Sequence, residues 1–403
     1  MAKRLAIPSK EVELVIVGPF DQFKASRVQR LALNTDIPNT TIDELGNSKH
    51  VGDVGDIPNV TLTFSAFEVG VKVFGCLTGT DPAAYPGTGV DISELGEVDA
   101  IVYVKDADTA VYAKSAHAHR LQVRDFTFTY SVDGESTEDY TAVGSERRWL
   151  KFDVVVDRYL PLGPTTVYTL THIPWQLKNG NNALSVIAGG EYLLENTSGG
   201  APATGEYRIV GVTLTTGDSY TGVPVIAIYH ATAAHAWTDV SDAASPIAIR
   251  GKDVTVHIAA NDIARVQNVT INGNLNVQPV KEMGNRQIAG YQRQVPTVDG
   301  TLTVLDTDTE LIEILTYGTT PSGIEWMPGE GCVVSGVSLK IQLQDPCDIT
   351  APYEIVKTVY IPAITIVGDS FTSNVNNNAT QTWNWKSSDA QCIVYSGEPL
   401  VYP

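Results

Sequence analysis

Arg27-Val28-Gln29 recurs as Arg265-Val266-Gln267, Glu44-Leu45-Gly46-Asn47 as Glu282-Met283-Gly284-Asn285, and Ile57-Pro58-Asn59-Val60 as Val295-Pro296-Thr297-Val298. The three pairs share one offset of 238 residues, with no gap from Arg27 to Val60. A gap-free register over 34 positions, marked by several separate identities, reads as an internal duplication. Two copies of one shape in one chain point to symmetric assembly more than to a single active site.

The match widens in both directions. Upstream, Ala6–Val12 aligns with Ala248–Val254 at offset 242, and the four-residue change falls near Gly18-Pro19, a turn signal where length is free to vary. Downstream, Ser65-Ala66-Phe67-Glu68 aligns with Thr307-Asp308-Thr309-Glu310, and both have the form of a helix capping box. In the second copy, Leu311, Ile312 and Leu315 share a face and Gly318 ends the helix. In the first, Val69, Val71 and Val73 alternate as in a strand, whereas Val69, Val73 and Leu77 fit a helix; the second copy favours a short helix. Further on, 120–128 aligns with 358–366 at offset 238, and Ser136–Tyr140 with Ala379–Trp383. This divides the chain into a first β domain (1–150), a β-rich insertion or decoration module with a linker at 237–247 (151–247), and a second β domain (248–403).

Strand signals dominate. Val12–Val17, Val60–Phe64, Ala100–Val104, Leu121–Tyr130, Val254–Ile258, Val269–Ile271, Ser338–Gln342 and Ile361–Val367 are rich in β-branched and aromatic residues. Asp133-Gly134 and Asn272-Gly273 carry hairpin-turn signals. The middle adds Phe152–Val156, Val167–Leu170, Tyr207–Leu214 and Val223–Tyr229, separated by Asn179-Gly180, Gly189-Gly190 and Ser198–Pro202. The fold class expected is all-β with short helices: two tandem sandwich or barrel domains, each with one flanking helix, plus the β-rich insertion.

Composition narrows the function. Charged residues make up 18% and the net charge is −19, which disfavours a protein that grips nucleic acid through its phosphates. Residues 81–139 hold 12 Asp or Glu against four Lys or Arg, as in a solvated face. Lys10, Glu11 and Glu13 interrupt any signal-peptide core after the basic N-terminus, and no apolar run is long enough to span a membrane. Cys76, Cys332, Cys347 and Cys392 show no C-x-x-C spacing and are expected as free core thiols.

Reactive constellations are scarce, so no enzyme and no cofactor or metal is expected. His117-Ala118-His119 puts two imidazoles on one strand face, but no third ligand lies nearby in sequence, and the pair is expected at the surface. His230 and His235 have poor spacing for a joint site. Glu135, Glu138 and Asp139 fit a polar hairpin tip better than an acid–base pair. No nucleophile elbow, Walker loop or H-E-x-x-H occurs. Trp383 and Trp385 share a strand face, and core packing suits them better than a ligand platform.

The order of these features resembles the tail tube (major tail) proteins of tailed bacterial and archaeal viruses. An early strand leads to a long polar loop bearing E-[LM]-G-N, then a Pro-containing strand, a short capped helix, and a late strand at Ser136–Tyr140 or Ala379–Trp383. The resemblance covers both copies and leaves out 151–247. It implies sheets joined edge to edge around a ring, rings stacked into a tube in the virion tail, and synthesis in the host cytoplasm. A duplicated chain would build a pseudo-sixfold ring as a trimer. Its partners would be further copies of itself, other tail proteins, and genomic DNA passing through the lumen without specific binding. The acidic balance would then keep DNA sliding. Glu44, Leu45, Gly46, Asn47 and Glu282, Met283, Gly284, Asn285 sit in loops too long for simple turns and are expected to contact neighbouring subunits or the next ring. The rival readings are a tandem β-sandwich carbohydrate-binding or cell-surface module, and another tail or baseplate ring component.

Overall fold

The computed structural model describes residues 12–25, 27–43, 52–67, 71–78, 89–105, 112–151, 154–231, 249–258, 261–262, 265–284, 288–305, 336–347, 354–373, 378–399 and 402. It is nearly all β, in several sheets that are antiparallel apart from one short parallel pairing.

The first half contains β1 (Val12–Val17), β2 (Gln22–Ala25), β3 (Val28–Asp36), β4 (Asn39–Ile42), β5 (Gly52–Gly55), β6 (Asn59–Ala66), α1 (Val71–Thr78), β7 (Val90–Asp91), β8 (Glu97–Lys105), β9 (Tyr112–Ser131), β10 (Thr137–Gly144) and β11 (Glu146–Leu150). β6 illustrates why these segments are strands. Val60, Leu62, Phe64 and Ala66 alternate with polar residues, and all four are buried. The chain turns at Gly18-Pro19 as expected, with the Gly18 N–H donating to the Asp21 carbonyl at 2.9 Å. Asp133-Gly134 likewise forms the turn between β9 and β10. Ser65 does not cap a helix. It lies within β6, which pairs on one side with β3 and on the other with β10, and these ladders hold the chain extended through Ala66. The expected helix begins at Val71 instead, with Val73 and Leu77 buried one turn apart.

The middle segment contains β12 (Val154–Tyr159), β13 (Thr165–Thr169), β14 (Ser185–Ala188), β15 (Glu191–Tyr192), β16 (Leu194–Glu195), β17 (Glu206–Val210), β18 (Thr213–Tyr220) and β19 (Val225–His230). They form two four-stranded sheets, β12-β19-β14-β15 and β13-β18-β17-β16, enclosing Tyr168, Val186, Tyr207, Leu214 and Tyr229. The run expected as one strand over 207–214 is two, because Gly211 turns the chain at φ 62°. Ile187, Ile226 and Ile228, on the outer face of the first sheet, pack on Val15, Val17, Ile101 and Tyr103 of β1 and β8. Burial on both faces explains the unbroken apolar run Val225–Tyr229.

The second half contains β20 (Val254–Ile258), β21 (Asn261–Asp262), β22 (Val266–Asn274), β23 (Val277–Val280), β24 (Gly290–Arg293), β25 (Thr297–Val304), β26 (Val337–Gln344), β27 (Ile355–Thr372), β28 (Thr380–Ser387) and β29 (Ile393–Ser396). The helix expected near 307–318, Cys332 and the 237–247 linker lie outside the described residues. The pairings of the first half recur here. β20 with β21 and β26 matches β1 with β2 and β8. β22–β25–β28–β27 matches β3–β6–β10–β9, and β23–β24 matches β4–β5. β27 lies between β26 and β29 as β9 lies between β8 and β11.

The repeated Arg-Val-Gln is a structural device. Arg27 (φ 51°) and Arg265 (φ 62°) both adopt the left-handed region, each just before a bulge. Their carbonyls accept the Phe67 and Leu305 backbone N–H and the Gln29 and Gln267 side-chain amides, respectively. Two sequence expectations change. The pairings set 120–128 equivalent to 363–371, an offset of 243 rather than 238; Phe128 and Phe371 both sit three residues after the bulge at Asp125 and Gly368. Asn272-Gly273 is no turn: it lies inside β22, where a Cβ on Gly273 would come within 1.9 Å of the Phe126 ring.

Candidate functional site

The two halves meet as one continuous sheet. β22 pairs with the second half of β9 from Asn268↔Ser131 to Asn274↔Asp125. β29 pairs with β7 through Ile393↔Asp91 and Val394↔Val90. The cores merge across the seam, with Phe126, Phe128 and Tyr130 beside Val269 and Ile271 in one cluster. Beneath it lies an ion pair between Lys357 of β27 and Glu138 of β10, both fully buried. Tyr140 donates its hydroxyl to Glu138 at 2.6 Å, and the Lys357 ammonium sits 4.7 Å from the Phe128 ring centroid. Glu138 is therefore not part of a polar hairpin tip. Its period-2 position in β10 turns it inward, which the local sequence does not disclose.

The outer strands of the two halves lack such a neighbour. Phe371, equivalent to Phe128, is 60% exposed, whereas Phe128 is 0% exposed. Leu33 of β3, equivalent to the wholly buried Ile271, is half-buried. Among the described residues, β3 pairs only with β6, and the end of β27 only with β28.

The E-[LM]-G-N loops form two-stranded arms, β4–β5 and β23–β24. Glu44, Leu45, Gly46, Asn47 and Asn285 lie outside the described residues. Glu282, Met283 and Gly284 are exposed at the arm tip, with Met283 standing fully in solvent and Gly284 at φ 85°. The arms touch each other: Lys281 Nζ lies 2.6 Å from Asp56 Oδ2, and this contact holds the Asp56 carboxyl below its ordinary value.

A second cluster lies where the middle segment docks. Asp99 of β8 accepts from His117 Nε2 at 2.9 Å, the Arg120 N–H at 2.9 Å, the Tyr192 hydroxyl at 3.1 Å and the Ser185 hydroxyl, with His119 Nδ1 at 3.3 Å. Burial would raise the Asp99 carboxyl, but His119 and His117 beside it hold it well below the carboxylate range. Burial would likewise lower His119, yet Asp99 raises it. His117 is buried, against the expected surface pair, because it turns inward onto Asp99, to which Ser185 and Tyr192 of the middle segment also bond. Ser185 donates to Asp99 and not to a histidine, so no Ser–His nucleophile is assembled. The third group absent from the neighbourhood of His-x-His in sequence is Asp99, 18 residues away from His117 and brought in by the β8–β9 pairing. Asp99 and Glu138 both belong to the acidic stretch 81–139, and both are withdrawn from solvent.

Trp383 and Trp385 are buried, as core packing requires, and offer no exposed platform. His230 is buried in β19, and His235 lies outside the described residues. Cys76 and Cys392 are buried, as expected of core cysteines, but Cys347 is exposed. No helix is long and apolar enough to cross a membrane among the described residues. No protein-family model and no curated protein sequence matches the chain.

Proposed function

We propose that the chain is a structural virion protein that polymerises into a viral tail tube, a conduit for DNA ejection, as stacked trimeric rings of pseudo-sixfold symmetry. The observation that carries this reading is the internal β9–β22 junction together with the open, equivalent edges at either end of the chain. A head-to-tail contact that already joins two like halves leaves one half of the same contact at each end, and repeating it generates a ring or a filament. We take the two halves to be copies by duplication. The strand from Gly368 to Thr372 would pair with Asp36–Ala32 of a second chain as Asp125–Thr129 pairs with Asn274–Thr270. Closure would cover strand edges that otherwise invite disordered association. The touching arms would form a collar facing the next ring, with Glu282–Gly284 as contacts. A net charge of −19 suits a wall along which DNA slides without binding.

The register gives a direct test. Thr127 and Asn272 face each other within the chain, so their equivalents Ser370 and Asn34 should face each other between chains. In a chain carrying Ser370→Cys, Asn34→Cys and Cys347→Ser, oxidation is expected to yield covalent species that end at a closed trimer, and microscopy to show threefold rings or tubes. A dispersed monomer that never cross-links would sink the reading.

A further inference from the structure

We propose that Asp99, His117 and His119 bind a divalent transition metal of the zinc class, with the fourth position open to the polar cavity beside the middle segment. The inference is independent of the tube reading, because all three ligands belong to one chain.

The carboxylate oxygen, His117 Nε2 and His119 Nδ1 lie within 4.8 Å of one another. From one carboxylate oxygen of Asp99, Oδ2, the separations of 2.9 Å to His117 Nε2 and 3.4 Å to His119 Nδ1 lie near the roughly 3.3 Å between ligands of a tetrahedral ion with bonds of about 2.0–2.1 Å. The histidines stand two apart on β9 and so share a face. Asp99 occupies the point where the β8–β9 register skips between Val98 and Ala100, which aims its carboxylate at them. Both supporting strands are paired on two sides, so the set is rigid.

The surroundings are those of a ligating carboxylate. Ser185, Tyr192 and the Arg120 N–H donate to Asp99 and fix its orientation. Asp99 and His117 are sealed from solvent, whereas the His119 side chain is 22% exposed. His119 lines a cavity of about 320 Å³ with Glu97, Glu146 and Tyr192, which provides an entry path and room for a water ligand. The imidazoles would bind as neutral lone-pair donors, releasing to solvent any proton held on Nε2 of His117 or Nδ1 of His119. Since Ser185 and Tyr192 belong to the middle segment, an ion on Asp99 would stiffen the carboxylate that holds that segment in place.

The test uses the full chain, stripped with a chelator and titrated with Zn²⁺ against a chromogenic competitor, and with Co²⁺ followed by visible absorption. One Zn²⁺ per chain and the intense bands of four-coordinate Co²⁺ are expected. His119→Gln should abolish both, and Ser185→Ala should weaken Zn²⁺ binding about 10–100-fold. Glu97→Gln, a cavity residue outside the ligand set, should bind as the parent does. Substoichiometric binding, only the faint spectrum of six-coordinate Co²⁺, or unchanged affinity in a folded His119→Gln would overturn the proposal. If His119→Gln fails to fold, the parent's Co²⁺ spectrum and the Ser185→Ala ratio decide. Chains that bind Zn²⁺ but never form rings would count against the tube reading alone.

Discussion

The seam between the halves and the free ends of the same sheet are built from equivalent strands, yet only one of them is closed. At the seam, Phe128 and Ile271 are wholly buried; at the ends, Phe371 stands largely in solvent and Leu33 is half-buried. The strands are equivalent and the neighbours differ. If a second chain docks there as proposed, the exposure of these end residues measures what that contact would bury, since burying a side chain of this size is worth roughly 1.5–3 kcal/mol. The seam also carries a device the ends lack. Lys357 meets Glu138, but the equivalents of these residues are Lys114, which is exposed beside Trp149, and the neutral Gln381. The two kinds of junction would thus share their backbone register and differ in buried charge.

The comparison breaks most visibly at the paired phenylalanines. Phe128→Ala is expected to destabilise the folded chain by about 3–5 kcal/mol, whereas Phe371→Ala should leave the monomer within about 0.5 kcal/mol. The latter should weaken association by on the order of 100-fold, read by analytical ultracentrifugation beside denaturant unfolding. Equal effects of the two changes on monomer stability would remove the basis for treating the ends as unfilled seams.

Removing Lys357 alone, as Lys357→Met, should cost about 3–5 kcal/mol in denaturant unfolding, because Glu138 is left charged and buried. The double change Lys357→Met with Glu138→Gln should recover most of that loss, since the pair goes together and Tyr140 keeps an acceptor. A smaller effect is expected from Gln381→Glu, which gives the open junction the missing acid. Rings should then form at a concentration on the order of tenfold lower, matching a charged hydrogen bond of about 1.5–3 kcal/mol partly offset by burial. No change in ring formation, with the monomer still folded, would show that Lys114 of a second chain does not reach Gln381. Last, deleting Thr41–Val54 in one arm should stop rings from stacking while leaving the monomer's melting temperature near that of the parent; unchanged tubes would mean that the arms are not contacts.

Much of the fold was legible because strands announce themselves locally. Val12–Val17 and Val254–Ile258 agree with β1 and β20 to the residue, since short runs dominated by β-branched residues have few other solutions. Asn272-Gly273 misled because a turn dipeptide also suits a strand crossed closely by an aromatic ring, here Phe126. The alignment of 120–128 missed by five residues because that strand preserves packing positions and little identity. His117 and Glu138 were misplaced for a related reason. A polar residue in a strand looks the same whether its face meets water or a partner supplied from far along the chain.

The sequence by itself determined the strands and the repeated Arg-Val-Gln device in the two halves, which rest on local periodicity and short-range turns. Only the tertiary structure decided how those halves join, which edges stay open, and which distant groups meet. Asp99 reaches His117 through strand pairing, Ser185 and Tyr192 reach Asp99 through docking of the middle segment, and Lys357 finds Glu138 across the seam. Such contacts depend on register and on the stacking of sheets, which join residues far apart in the chain and leave no periodic trace in it.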